Sequence, residues 1–282
     1  LRMRKILPAE ERELSNKEKA SLWAGMFRNY LTEGGFPAVQ GFADAERAQV
    51  LQGYAQLTVA RDVVERCGFS NASFARELAR VAITSSAREV SVSRLDNKGK
   101  ERGYSPGRAK ISEMLDAFED AHLAYQVYNF GYSVQKIRLG GMKLYANAPG
   151  LYWASIPSSN DGLAFSLETA VYLELRRRRK VGRLGDIAML KLPSGKEVDF
   201  VEGDSVADEA YRLVQVCYDM ENPATREREL SALREAMAKF SCKEGLIVTM
   251  REESEERVPE GVIRIVPAWK WFLEENDEDE QG

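Results

Sequence analysis

The sequence predicts a chain of mixed class, α+β and α/β, in two successive units. Three observations carry this. Residues 16–123 are dominated by the 3.6-residue apolar spacing of helices, and short extended segments follow. After residue 160 the elements alternate as helix, hairpin, strand, helix, strand, strand, helix, the order of an α/β unit with a small mixed sheet. The charge also changes sign, from +5 over residues 1–160 to −9 over residues 161–282, within a net charge of −4. The units are therefore placed at 1–160 and 161–282, the second ending in an acidic tail.

In the first unit, residues 1–20 read as a polar lead-in with a short helix from about residue 16. Residues 21–33 form an apolar-periodic helix, with Leu22, Trp23, Met26, Phe27, Tyr30 and Leu31, that stops at Gly34-Gly35 before Pro37. Residues 43–66 make a long helix, and Asn71 or Ser73 caps the next, which carries Phe74, Leu78, Val81 and Ile83. A short helix with Val90, Val92 and Leu95 precedes a polar loop at 96–103. Ser105 before Pro106 marks the start of a helix over 106–120. Residues 125–130 and 133–139 read as strands about a turn near Gly131, and Gly140-Gly141 leads into residues 143–145. Short helices followed by a hairpin suggest a winged helix-turn-helix, with 106–120 as its recognition-like helix.

In the second unit, residues 152–162 read as a linker and 163–180 as a helix ending in the basic run 176–180, which suits the negative helix end. Residues 186–192 and 196–201 form a hairpin around Pro193-Ser194-Gly195, and 202–209 an acidic loop. A strand at 211–218, a helix at 226–239 introduced by Asn222-Pro223, strands at 246–250 and 262–266, and a terminal helix at 267–273 complete it.

Composition excludes several functions. With His122 as the one histidine, a His-rich metal site is excluded; with three cysteines, Cys67, Cys217 and Cys242, and no C-x-x-C spacing, a structural zinc site of Cys and His is not expected. Cysteine usage and the lack of a signal peptide favour a reducing, cytoplasmic setting. No apolar run approaches the ~20 residues that cross a bilayer. No G-x-x-x-x-G-K-[ST] loop is present to hold nucleotide phosphates. His122 lies in the apolar context Ala121-His122-Leu123 and reads as a core or capping residue.

Two groups of residues point to chemistry. The first is basic. Residues 71–110 carry nine basic and four acidic side chains, and Arg88, Arg94, Lys98, Lys100, Arg102, Arg108 and Lys110 flank the recognition-like helix as a candidate nucleic-acid surface. Glu113, Asp116, Glu119 and Asp120 on the same helix repel phosphate if they face a duplex. The second is acidic. Many nucleases set a helix glutamate, a strand aspartate and a strand E-x-K around Mg²⁺, a cation that takes oxygen ligands. Glu168, Asp199 and Gln215-Val216-Cys217 follow that layout, with Gln215 in place of the carboxylate and Cys217 in place of the lysine. Glu168 and Asp199, with Glu174 as an alternative, are weak metal candidates. The plainer reading is that Asp199 pins the hairpin and Gln215 satisfies a buried backbone group, with no catalytic residue and no metal.

Several segments together carry a family likeness: Gly34-Gly35-Phe36-Pro37, Arg61-Asp62-Val63-Val64-Glu65-Arg66, Lys143-Leu144-Tyr145, Glu197-Val198-Asp199-Phe200-Val201, Val214-Gln215-Val216-Cys217-Tyr218 and Thr225-Arg226-Glu227-Arg228-Glu229-Leu230. Over about residues 34–271 the chain resembles the C-terminal portion of predicted prokaryotic AAA-type ATPases, known as an uncharacterised domain numbered 4143. The resemblance implies a winged-helix-like module followed by a restriction-endonuclease-like fold, often degenerate at its metal site. The resemblance implies that many relatives carry Glu and Lys where this chain has Gln215 and Cys217, and that others share the Gln-Val-Cys-Tyr form. It also implies an ATPase domain before Leu1, absent or separate here, toward which Asp62 and Arg66 would face; ATP and Mg are expected only with that domain.

The leading expectation is a non-catalytic module that binds nucleic acid or a protein partner. A metal-dependent nuclease is the alternative. A structural or homo-oligomerising module, using Trp153, Trp269, Trp271 and Phe272, is the third reading. Without a phosphate loop, calorimetric titration of this chain with Mg-ATP returns only the heat of dilution; stoichiometric micromolar binding overturns that expectation.

Overall fold

The computed structural model describes residues 15–131, 141–156, 162–179 and 185–274. The fold is α+β. Helix α1 (Asn16–Glu33) starts at a reciprocal cap: Ser15 accepts the Glu18 N–H, and the Glu18 carboxylate accepts the Ser15 N–H. The short helix expected from about residue 16 and the helix expected over 21–33 are one continuous helix, which buries Trp23, Phe27 and Leu31. Helix α2 (Asp44–Thr58) runs directly into a π-helical segment, Val59–Glu65, that buries Val59 and Val63.

Helix α3 (Ala72–Thr84) is capped by Asn71, whose Oδ1 accepts the Phe74 N–H at 2.9 Å. Strand β1 (Arg88–Val90), helix α4 (Val92–Glu101), helix α5 (Arg108–Asp120) and strands β2 (Ala124–Val127) and β3 (Met142–Ala146) follow. The strands form an antiparallel sheet in the order β1-β3-β2, with Glu89 opposite Lys143 and Tyr125 opposite Tyr145. Residues 96–101, expected as loop, are the second half of α4, because Leu95 and Gly99 pack inward. α5 starts at Arg108 rather than Pro106, since Gly107 takes φ 77°, outside the helical region. The expected strand at 133–139 lies outside the described residues.

Residues 149–155 form helix α6 (Pro149–Ser155), started by Pro149 and mostly buried, so the first part of the expected linker at 152–162 is helical. The remaining expected linker, 157–161, lies outside the described residues. Helix α7 (Gly162–Arg178) leads to a six-stranded sheet. Its strands are β4 (Asp186–Lys191), β5 (Glu197–Asp204), β6 (Glu209–Cys217), β7 (Glu244–Thr249), β8 (Ser254–Val258) and β9 (Gly261–Pro267), in the order β4-β5-β6-β7-β9-β8. Helix α8 (Pro223–Phe240) joins β6 to its parallel neighbour β7, and helix α9 (Ala268–Leu273) follows β9. The acidic stretch 202–209, expected as loop, is the end of β5 and the start of β6 joined by a turn at 205–208. β8, hidden in a run of charges, is an edge strand whose Glu255 and Arg257 point to solvent, as strand edges that avoid aggregation do.

Alternation along the strands makes two cores. Val214, Val248 and Val266 join Leu167, Val171 and Leu175 of α7 on one face; Leu213, Ile247 and Ile265 join Leu233 and Met237 of α8 on the other. A third core gathers α2 to α5 with one face of the small sheet. The α7 core also takes Phe27 and Leu31 from α1 and Tyr125, Val127 and Tyr145 from the small sheet, so residues before 160 complete the core of the large sheet. A second connection runs along the β4 edge, where Phe130 N–H donates to the Met189 carbonyl at 2.7 Å and Met189 N–H to the Tyr128 carbonyl at 2.9 Å.

The end of α1 meets α6 backbone to backbone. Gly34 sits at φ 80°, and a Cβ on Gly150 would lie 2.2 Å from the Glu33 carbonyl oxygen, a contact that only displacement of backbone can relieve. Gly150→Ala should therefore lower unfolding stability by about 1–3 kcal/mol, read as a lower urea midpoint at unchanged slope.

Candidate functional site

β3 is buried along its whole length, with residues Met142, Lys143, Leu144, Tyr145 and Ala146. A lysine in such a strand must meet counter-charges, because an unpaired buried ammonium is very costly. Lys143 Nζ lies 2.8 Å from Asp199 Oδ1, 2.9 Å from Glu168 Oε1 and 2.7 Å from Glu197 Oε1. Glu168 comes from α7, and Glu197 and Asp199 from β5. Tyr145, on the same side of β3 as Lys143 by the two-residue strand period, donates its hydroxyl to Glu168 Oε1 at 2.8 Å. One ammonium from the small sheet thus sits among three carboxylates of the large sheet and its covering helix.

The other side of Asp199 faces β6. Regular pairing of β5 with β6 reaches Phe200 opposite Val214, and side chains take over beyond it. Asp199 N–H donates to Gln215 Oε1 at 3.2 Å, and Val216 N–H donates to Asp199 Oδ2 at 3.0 Å. Gln215 Nε2 donates to Glu229 Oε2 of α8 at 2.6 Å, and Arg228 donates to Glu229 Oε1 at 2.5 and 3.0 Å. Both ends of the Gln215 amide are thereby used by the fold. The Cys217 thiol points to the Asp219 carbonyl oxygen at 3.3 Å.

The charges follow from this packing. Burial works against the Lys143 ammonium, yet Asp199, Glu168 and Glu197 more than offset it, and the group is held well above the usual lysine range. Burial and the neighbouring Asp199 push Glu168 up to about 7, against the opposing pull of Lys143 and the Tyr145 hydroxyl. Burial, followed by Glu168 and Asp199, raises Tyr145 well above the ordinary phenol value. Burial and Glu229 push the Cys217 thiol up to about 11, so it stays neutral near pH 7.

The structure brings Glu168, Asp199 and Gln215 together and sets Cys217 two residues further along β6. Glu174, the alternative acid, is elsewhere: it pairs with Arg177 at 2.5 Å and Arg178 at 2.6 Å on its own helix. Four site residues stood outside the candidate set: Lys143, Tyr145, Glu197 and Glu229. Lys143 carried a signal, a single charge inside an apolar strand, and the others none beyond their places in the shared segments. Among the described residues, no group of three or more His, Cys, Asp or Glu side chains is arranged to hold a metal ion.

The candidate nucleic-acid residues are only partly available. Lys100 pairs with Asp96 at 2.7 Å, Arg102 pairs with Glu77, and Lys110 pairs with Glu113 at 3.0 Å and covers the Phe69 ring. Arg88 lies over the Phe165 ring, 4.0 Å from its centre. Arg94, Lys98 and Arg108 are exposed without an ion pair among the described residues. The solvent face of α5 presents Glu113, Asp116 and Asp120.

In the basic run 176–180, Arg176 lies over Tyr125, and Arg178 donates to the Trp271 carbonyl, so both are bound into the fold; Lys180 lies outside the described residues. The aromatics proposed for subunit contacts are also mostly internal. Trp153 donates its indole N–H to Leu31 O and Ser166 Oγ, Trp271 is buried, and Phe272 packs edge-on against Phe27.

Comparison with known proteins gives sparse context. Residues 25–161 match a domain of unknown function (DUF8612), a match that includes Lys143 and ends before Glu168. The chain is 32% identical over 271 residues to the uncharacterized protein MJ1544 of Methanocaldococcus jannaschii, covering 93% of this chain and 58% of that protein. It is 25% identical over 195 residues to an uncharacterized protein of Haemophilus influenzae, covering 69% of this chain and 46% of that protein. The chain thus spans about half the length of these relatives. No solved structure matches it.

The raised Glu168 value makes a stability prediction. The folded state holds this proton more tightly than the unfolded chain, whose reference value is 4.5. Its contribution is fully present below about pH 4.5 and is lost as pH rises through about 7. Between pH 5 and 8, wild type should lose roughly 2–3 kcal/mol more unfolding stability than Glu168→Gln, measured by urea denaturation.

Proposed function

We propose that the chain is a non-catalytic, partner-binding module, of the kind the resemblance places at the C-terminus of AAA-type ATPases. In this reading a winged-helix-like unit is joined to a nuclease-like fold that no longer hydrolyses phosphodiesters. The order α3-β1-α4-α5-β2-β3 with sheet order β1-β3-β2 supports the first part. The observation that carries the second is the state of β6. The Gln215 amide is spent on Asp199 and Glu229, and the Cys217 thiol is neutral and turned to a carbonyl. That strand supplies neither an anionic metal ligand nor a cation beside a scissile phosphate.

The acidic solvent face of α5 favours a protein partner over duplex DNA, since an aligned row of carboxylates repels phosphates. Nucleic-acid binding is the second reading, supported by the exposed and unpaired Arg94, Lys98 and Arg108.

Incubation with single- and double-stranded DNA and RNA in Mg²⁺ or Mn²⁺ should yield no cleavage; cleavage abolished by Asp199→Ala overturns the non-catalytic reading. Fluorescence titration with duplex DNA across a salt series separates the two partner readings. Binding that weakens steeply with salt, and whose slope flattens when Arg94, Lys98 and Arg108 are replaced by Ala, establishes the DNA reading. Absence of binding at low salt favours the protein partner.

A further inference from the structure

Three carboxylate oxygens, from Glu168, Glu197 and Asp199, converge on one point, and the occupant of that point is the Lys143 ammonium. The occupant reaches in from a different sheet: the acids stand on α7 and β5, the lysine on β3. We propose that Lys143 is a built-in plug: its ammonium fills the cation position between Glu168, Glu197 and Asp199 and bars a divalent metal from it.

Two features support this. The oxygens stand 2.7–2.9 Å from the nitrogen, which is ammonium spacing. Ca²⁺ takes oxygens at about 2.3–2.6 Å, so the ammonium holds the acids a few tenths of an ångström too far apart for it. The lysine also leaves an excess of acidic groups, three carboxyls against one ammonium, with Glu197 a third exposed on the side open to solvent. Once the plug is gone, the same acids can close on a hard, oxygen-seeking cation arriving past Glu197. The inference rests on the non-catalytic reading, for which it provides a cause on the metal side.

The test is Tb³⁺ luminescence with Ca²⁺ as competitor, on the wild-type chain and Lys143→Ala. Tyr145, hydrogen-bonded to Glu168, is the sensitiser. The variant should bind one Tb³⁺ per chain, displaced by Ca²⁺, on the order of hundredfold or more tighter than wild type, because a unit positive charge a few ångströms from the ion is gone. Adding Asp199→Asn to the variant should abolish that binding. Wild type binding equally well, or a folded Lys143→Ala chain that binds no Tb³⁺, overturns the proposal. If Lys143→Ala does not fold alone, Ca²⁺ should restore a cooperative melting transition; a chain still unfolded in Ca²⁺ overturns it equally. Failure of the non-catalytic reading has a separate signature, metal-dependent cleavage by wild type, whereas a folded variant without Tb³⁺ binding counts against the plug alone.

Discussion

The Lys143 ammonium among Glu168, Glu197 and Asp199 is the constraint around which the two sheets are arranged. A buried charge of this kind gains little over a well-packed apolar replacement, but it is expensive to leave half-made. Each partner is therefore committed to the others' positions. β3 must lie against the open end of β5, and α7 must pass close enough for Glu168 to reach both Lys143 and Tyr145. The apolar contacts around it follow the same geometry, with Tyr145 stacked on Tyr172 and tilted against Phe200.

A second set of polar contacts holds the other flank of Asp199. Where the β5–β6 ladder ends, Gln215 and Asp199 exchange side-chain bonds for the missing backbone ones, and Gln215 passes the connection on to Glu229 and Arg228. Asp199 is thus tied to the small sheet through one oxygen and to the β6 backbone through the other. Both carboxylate oxygens of Asp199 are thereby engaged by the fold. The same logic governs the basic residues: Lys100, Arg102 and Lys110 answer nearby acids, and three charges are left at the surface of α4 and α5.

Much of the fold was legible in the sequence because its elements carry strong local signals. The stops at Gly34 and Gly68, the caps at Asn71 and Asn222, and the Pro193-Ser194-Gly195 turn each act within a few residues. Errors fell where tertiary packing outweighs local preference. Residues 96–101 look like a polar loop, yet they continue α4 because Leu95 and Gly99 find Phe74 and the core beneath them. Residues 152–155 look like the start of a linker, yet they fold into α6 because α1, α2 and α3 cover that helix. β8 is invisible to hydrophobic alternation because an edge strand has one neighbour and exposes half its side chains.

The sequence by itself determined the class and the order of most elements, which rest on periodicity and on signals close together along the chain; it named Glu168 and Asp199 as candidates without fixing that they meet. Only the tertiary structure decided that Lys143 completes their site. The lysine lies 25 residues before Glu168 and 56 before Asp199, on a different sheet, and no local pattern encodes that meeting. Tertiary structure likewise decided that Gln215 serves Glu229, that α1 belongs to the core of the large sheet, and that Arg102 pairs with Glu77. Charge balance and burial are properties of neighbours in space, and the sequence states neighbours only along the chain.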